Sequence, residues 1–314
     1  MDTSINPETR FLHAVEMGVG TWQWGDRVVW NYGHNYNDDA IRAAFNASLE
    51  QGVRLFDTAE VYGNGQSERI LGGLLKETDR PVLVATKFMP FPWRLERKSL
   101  LRALKNSLDR LGLESVDLYQ MHWPFPPVSI EKWMSAMAEA IQQGWVRTVG
   151  VSNYNYAQMM RSYAALERRG LSLASNQVEY NLLNREIEKN GLLKRCQELG
   201  IRVIAYSPLA MGLLTGKYSP ENPPPGLRGR KYAGLLKRLK PLLNLMTEIG
   251  REHESKTCAQ VALNWCICKG TLPIPGAKNA EQALINAGAL GWRLTEEEVA
   301  RLDNASESVV RSGS

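Results

Sequence analysis

The stretch LFDTAEVYG, residues 55–63, leaves apolar territory abruptly. Val53, Leu55 and Phe56 have the β-branched and aromatic character of a buried strand. The run then ends on a carboxylate, Asp57. Five residues later it presents a phenol, Tyr62, followed by Gly63 and Gly65. A carboxylate closing a hydrophobic strand, with a phenol in the loop beyond, raises the question of how often that pattern recurs.

It recurs along the whole chain. Short apolar or β-branched runs near 15–20, 53–57, 82–87, 116–122, 146–151, 174–179, 202–206 and 271–275 read as strands. Helical patterns such as DDAIRAAFNASLEQG, ERKSLLRALKNSLDRLG and SIEKWMSAMAEAIQQG lie between them. Gly52, Gly144, Gly200 and Gly270 stand where helices end, which suits the left-handed closing residue. Thr257 with Gln260 and Thr295 with Glu298 read as capping boxes. Eight strand–helix units in one chain of 314 residues predict a parallel sheet closed into a single-domain (β/α)8 TIM barrel over 1–314. The rival is an open doubly wound sheet. It would carry GxGxxG after an early strand, and Gly18-Val-Gly20 lacks the third glycine. The Pro/Gly-rich segment YSPENPPPGLRGR follows the seventh strand and reads as a long functional loop.

Bulk composition narrows the class. Hydrophobic residues make up 44% and charged residues 23% of the chain, values of a globular protein. No apolar run approaches the roughly 18 residues of a membrane helix, so no membrane partner is expected. The N-terminal MDTSINPETR has neither an apolar signal core nor the basic character of a transit peptide. Cys196, Cys258, Cys266 and Cys268 form no CxxC pair and read as reduced thiols without a metal, consistent with the cytoplasm. Net charge is +5, with Arg228, Arg230, Lys231, Lys237, Arg238 and Lys240 clustered. That cluster is either a solvated face or an attractor of an anionic ligand. No module or aromatic-interleaved basic stripe points to nucleic acid.

In a barrel, chemistry collects where strands end. The third strand ends at Lys87 and the fourth at His122. The fifth reaches Ser152 and Asn153, the sixth carries Gln177, and the seventh ends at Tyr206. Singly, Asp57 could be a turn residue, Lys87 a surface lysine and His122 a core histidine. Ionisable residues closing three successive strands can instead meet across the barrel mouth. A buried ammonium beside Tyr62 would lower the phenol pKa, and Asp57 would hold Lys87 charged. His122 would add a polar group toward the same oxygen. The set is a general acid for a developing alkoxide. An alkoxide forms when a carbonyl accepts hydride, which only a cofactor delivers. Ser152, Asn153 and Gln177 offer partners for a nicotinamide carboxamide, and Tyr206 a stacking face.

With these motifs the chain resembles the aldo-keto reductase superfamily over nearly its whole length. The resemblance rests on GVGTW at 18–22, FDTAEVYGNGQSE at 56–68, ATK at 85–87, LYQMHWP at 118–124, VGVSN at 149–153, NQVEYN at 176–181, AYSPL at 205–209, GLLTGKY at 212–218 and IPGAKNAEQALINAG at 274–288. Within the superfamily it looks most like cyanobacterial and plant-plastid members, including pyridoxal-reductase-like ones. The resemblance implies a tetrad of Asp57, Tyr62, Lys87 and His122, with Tyr62 as proton donor to a small carbonyl substrate. It also implies an extended NADP(H), with NAD(H) as the alternative. Gly20, Thr21 and Trp22 would line the nicotinamide end, and Asp57, Ser152, Asn153, Gln177 and Tyr206 would surround the ring. Ser207, Pro208, Leu209, Gly212 and Lys217 would fold over the pyrophosphate. Lys278, Gln282 and Asn286 would serve the 2′-phosphate and adenine.

Two departures from the family pattern stand out. Many relatives place lysine after the Ile-Pro pair and arginine six residues later, where this chain has Gly276 and Gln282. Lys278, or Arg228 or Arg230 of the long loop, would then carry the phosphate charge. The second is WQWGDRVVWNYGHNYND at 22–38, whose aromatic residues either shape the pocket or pack over the mouth. Two other functions fit the same residues: a cofactor-sensing regulatory subunit, or a lysine-dependent aldolase using Lys87.

Overall fold

The eight apolar runs form eight short strands in the computed structural model, which describes residues 7–311. They are β1 (Gly18–Gly20), β2 (Leu55–Asp57), β3 (Leu83–Phe88), β4 (Val116–Met121), β5 (Val146–Ser152), β6 (Leu173–Glu179), β7 (Arg202–Tyr206) and β8 (Leu272–Pro273). Each is parallel to the next, in chain order, which excludes the doubly wound alternative. The ring closes through Gly20, whose N–H donates to the Pro275 carbonyl at 3.1 Å and which pairs with Gly276. A Cβ on Gly20 would lie 2.9 Å from the Ile274 carbonyl oxygen, so the seam needs glycine there. The protein is a (β/α)8 barrel.

Inward-facing Leu55, Ala85, Leu118, Ala174, Ile204 and Leu272 fill the lower barrel. Leu12, from the short helix Arg10–His13, plugs that end and is fully buried. The sequence reading assigned no element there. Four of the stretch MDTSINPETR are described; its first six residues and the last three of the chain lie outside the described residues. The helices form the outer layer and bury their apolar faces on the sheet. Gly52, Gly144, Gly200 and Gly270 all close helices at positive φ. Both capping boxes form, with Gln260 N–H on Thr257 Oγ1 at 3.3 Å and Glu298 N–H on Thr295 Oγ1 at 3.2 Å.

The long loop is shorter than expected. Prolines hold the chain irregular through Gly226, and a 26-residue helix, Leu227–Glu252, then begins. Arg228 and Arg230 therefore sit in a first helical turn rather than in a loop. The four cysteines are free, and burial pushes the Cys196 thiol up to about 12. No described helix is long and apolar enough to cross a membrane.

Two adjacent glycines test the packing. Both lie in the helix Gln66–Leu75, where alanine gains about 1 kcal/mol of helix propensity over glycine. A Cβ at Gly72 would lie 2.6 Å from the Leu111 carbonyl oxygen, whereas one at Gly73 meets nothing within 4 Å. Gly72→Ala should therefore lower stability by about 1–3 kcal/mol despite the propensity gain. Gly73→Ala should raise it by up to about 1 kcal/mol. Thermal or urea unfolding of the pair checks the sign of each.

Candidate active site

Asp57 ends β2 opposite Ala85, and Lys87 lies two residues beyond that partner on β3. The alternation of a strand puts both side chains on the inner face. Both are buried, and they form an ion pair through Asp57 Oδ1 and Lys87 Nζ. The remaining Lys87 donors reach the Thr58 carbonyl at 2.9 Å and the Tyr62 hydroxyl at 3.2 Å. All three ammonium protons are thereby committed. Burial disfavours the Lys87 charge, but Asp57 and Tyr62 outweigh it and its pKa is raised.

Tyr62 opens a tight turn, Tyr62–Gly65, in which Gly63, Asn64 and Gly65 all have positive φ. That explains the Gly-Asn-Gly run after the phenol. Burial raises the Tyr62 pKa above its ordinary value, and Lys87 pulls it only part of the way back. The expected net lowering is thus reversed, because removing a phenolate from water outweighs one adjacent ammonium. His122 follows β4 and meets Tyr62 edge to face, with ring centres 5.7 Å apart. Burial, with Lys87 nearby, drops its pKa from 6.5 to about 3. The imidazole is therefore neutral, and its Nδ1 is buried without a hydrogen-bond partner among the described residues.

Gln120 escaped the sequence reading. Its Nε2 donates to Asp57 Oδ2 at 3.0 Å, and Gln177 Nε2 donates to the same oxygen at 2.9 Å. The signal was available in VDLYQMH: Gln120 shares the inward phase of Leu118 and His122, so it is a polar residue on a core face. Thr58 and Ser67 were missed as well. Ser67 accepts from Thr58 Oγ1 at 2.9 Å and lies 2.7 Å from Thr21 Oγ1. Thr21 is fully buried and its N–H donates to the Asp57 carbonyl at 2.9 Å, bracing the strand end.

Ser152, Asn153, Gln177 and Tyr206 meet at one edge of the mouth. Ser152 Oγ donates to the Gln177 carbonyl at 2.9 Å, and Asn153 Nδ2 to Ser152 Oγ at 3.1 Å. Tyr206 donates its hydroxyl to Asn153 Oδ1 at 2.9 Å. Beyond them the backbone turns through positive φ at Ser207, Ala210, Met211 and Gly212, and Pro208 and Leu209 lie inside this turn. Such left-handed residues are held by their surroundings and concentrate at ligand sites.

A positive cluster lies past that turn. Arg228 Nη2 donates to the Met211 carbonyl at 2.6 Å, and Lys217 packs against Gly212. Lys278 lies close enough to both for their charges, after burial, to lower its pKa. Among the described residues, none of these three cations has a carboxylate within ion-pair distance. Gln282 and Asn286 brace the same loop: Gln282 Oε1 accepts from the Lys278 N–H at 2.9 Å, and Asn286 Nδ2 donates to the Gly276 carbonyl at 3.2 Å. Gly276 leaves room for Gln23, which a Cβ there would strike.

The 22–38 segment divides. Trp24 is fully buried and donates to the Ala277 carbonyl at 2.9 Å, so it packs. Trp22 is 38% exposed, with its ring 6.3 Å from that of Tyr62 and edge-on to Trp30 at 5.5 Å. Stacked pairs Phe91–Trp93 and Trp123–Phe125 stand on the loops after β3 and β4.

The chain has relatives among known proteins. The chain is 42% identical to a chloroplastic pyridoxal reductase of Arabidopsis thaliana, over 96% of this chain and 86% of that protein. It is 33% identical to an L-glyceraldehyde 3-phosphate reductase of Escherichia coli O157:H7, over 93% of this chain and 89% of that one. An aldo/keto reductase from Klebsiella pneumoniae, solved with NADP and acetate, matches with a TM-score of 0.72 at 30% identity, covering 92% and 90% of the two chains. The model of the aldo/keto reductase family matches residues 16–307. That span takes in every strand of the barrel and all four residues gathered at its mouth, and the chain therefore belongs to the aldo/keto reductase family.

Proposed function

We propose that this protein reduces an aldehyde or ketone to the alcohol with NADPH, and that Tyr62 gives the proton to the carbonyl oxygen. The observation that carries the reading is the buried Lys87 ammonium, bonded at once to Asp57 and to the Tyr62 hydroxyl. Burial holds the Tyr62 pKa above its ordinary value, so the phenol is protonated at neutral pH, the state a donor needs. Lys87 limits that rise and stabilises the phenolate left behind. Neutral His122 can direct a hydrogen bond to the same oxygen without competing as an acid.

NADPH supplies hydride when bound. The residues present fit it: three cations that lack carboxylate partners among the described residues suit its phosphates, and Gln177 Oε1 is available for a carboxamide while its Nε2 serves Asp57. The aldolase reading is disfavoured, because imine formation needs a free neutral amine and Lys87 is fully bonded and held charged. An intact proton path favours turnover over cofactor sensing alone. The aromatic mouth and the pyridoxal reductase relative support planar aromatic aldehydes, pyridoxal among them, as substrates. Four free cysteines support a reducing compartment such as the cytoplasm. A carbonyl panel including pyridoxal, followed by loss of NADPH absorbance, tests the reading. Absence of turnover across the panel would sink it.

Three outcomes are expected at the tetrad. Tyr62→Phe should cut reduction about 10²–10⁴-fold while NADPH affinity barely changes; near-normal turnover would remove Tyr62 as the acid.

Lys87→Met should cost about 3–5 kcal/mol of stability as well as activity, because Asp57 is left charged, buried and unpaired. Adding Asp57→Asn should recover stability without activity. Denaturation and assay of both variants separate the two roles.

The third outcome concerns pH. His122 is neutral in the fold down to about pH 3, whereas in the unfolded chain it binds a proton below about 6.5. Its contribution to stability is complete above pH 6.5 and is lost as pH falls toward 3. His122→Asn should flatten that part of the pH–stability curve, measured by urea unfolding between neutral and acid pH.

A further inference from the structure

The side chain of Lys278 is gripped by a loop far from it in sequence. Its Nζ lies 4.6 Å from the ring centre of Trp30 and 4.9 Å from that of Tyr36. Both distances fall within cation–π range. The rings are themselves held. Tyr36 donates its hydroxyl to the Gln23 carbonyl and meets Tyr32 edge-on at 5.8 Å, and Trp30 leans on Trp22. Lys217 and Arg228 lie near enough to act on its charge, so the lysine belongs both to an aromatic wall and to a cluster of cations without carboxylate partners among the described residues.

We propose that Trp30 and Tyr36 determine the preference for NADPH over NADH by clamping Lys278 toward the 2′-phosphate. This rests on the reading that the chain uses a nicotinamide dinucleotide. The physical case has three parts. Gly276 and Gln282 leave Lys278 as the sole cation of the loop IPGAKNAEQ. A lysine is a point charge on a flexible stem, without the pre-organised fork of arginine, so it needs outside restraint to meet a phosphate well. Aromatic faces provide that restraint without cancelling the charge, as a carboxylate would. They also exclude water from the ammonium, which strengthens its attraction to an anion. The neighbouring Lys217 and Arg228 repel Lys278, and a dianionic phosphate among them relieves that repulsion.

The test is calorimetric titration of NADPH and NADH into the wild type, Trp30→Leu, Tyr36→Leu, the double variant, and Lys278→Met with and without the double substitution. Calorimetry is needed because Trp30→Leu alters fluorescence. The double variant should lose about tenfold or more in NADPH affinity while NADH affinity shifts by less than about twofold. Tyr36→Phe keeps the ring and should keep the preference. On the Lys278→Met background the ring substitutions should add nothing. Equal losses for both cofactors, or full extra losses on the Lys278→Met background, would overturn the clamp. Circular dichroism melts identify any variant that has unfolded, and the single substitutions then decide. A wild type that binds neither cofactor would overturn the functional reading itself, and the clamp with it.

Discussion

Lys87 and Asp57 form an ion pair at a depth where neither charge meets water. Removing two charges from solvent is expensive, and their mutual attraction repays it only when the leftover donors and acceptors are also satisfied. Here they are. Lys87 spends its other protons on the Thr58 carbonyl and on Tyr62, and Asp57 Oδ2 receives amide donors from Gln120 and Gln177. The pair and its two amide donors come from β2, β3, β4 and β6. A site drawing on so many strands ties the closing of the barrel to the assembly of its chemistry, since a displaced strand would strand a buried charge.

The same pair sets the protonation states around it. Burial alone would make Tyr62 a very poor acid, and the ammonium moderates this. Burial and the ammonium act in one direction on His122, which stays neutral. A phenol and an imidazole in one pocket thus respond differently to the same environment, because the charged form of one is an anion and of the other a cation. The positive end of the mouth follows a different logic. Arg228 and Arg230 stand in the first turn of a helix, where the macrodipole disfavours cations, and Lys278 faces two like charges. Such an arrangement costs stability by itself and makes sense as a receptor for an anion.

Some of this was written plainly in the chain. Residues such as Asp57, Lys87 and His122 interrupt apolar strand runs, and interruption is a local signal. Gln120 carries the same signal more faintly, being uncharged, and passed as strand interior. The start of the helix at Leu227 was hidden by the preceding prolines, which look like loop whatever follows them. The direction of the Tyr62 pKa depended on how much water its neighbours exclude, a quantity no spacing reports. Only three-dimensional packing could show that Trp24 is core while Trp22, two residues away, lies beside the Tyr62 ring.

The barrel is legible along the chain as eight alternations of strand and helix closed by glycine and capping signals, and so are the types of residue at the strand ends. These are properties of periodicity and local backbone preference, which act over a few residues. Tertiary structure decided which of those side chains share a hydrogen bond, which way their pKa values move, and that the rings of Trp30 and Tyr36 close on a lysine more than 240 residues further along the chain. Desolvation and Coulomb interaction depend on distance in space and on the medium between groups, and separation along the chain carries neither.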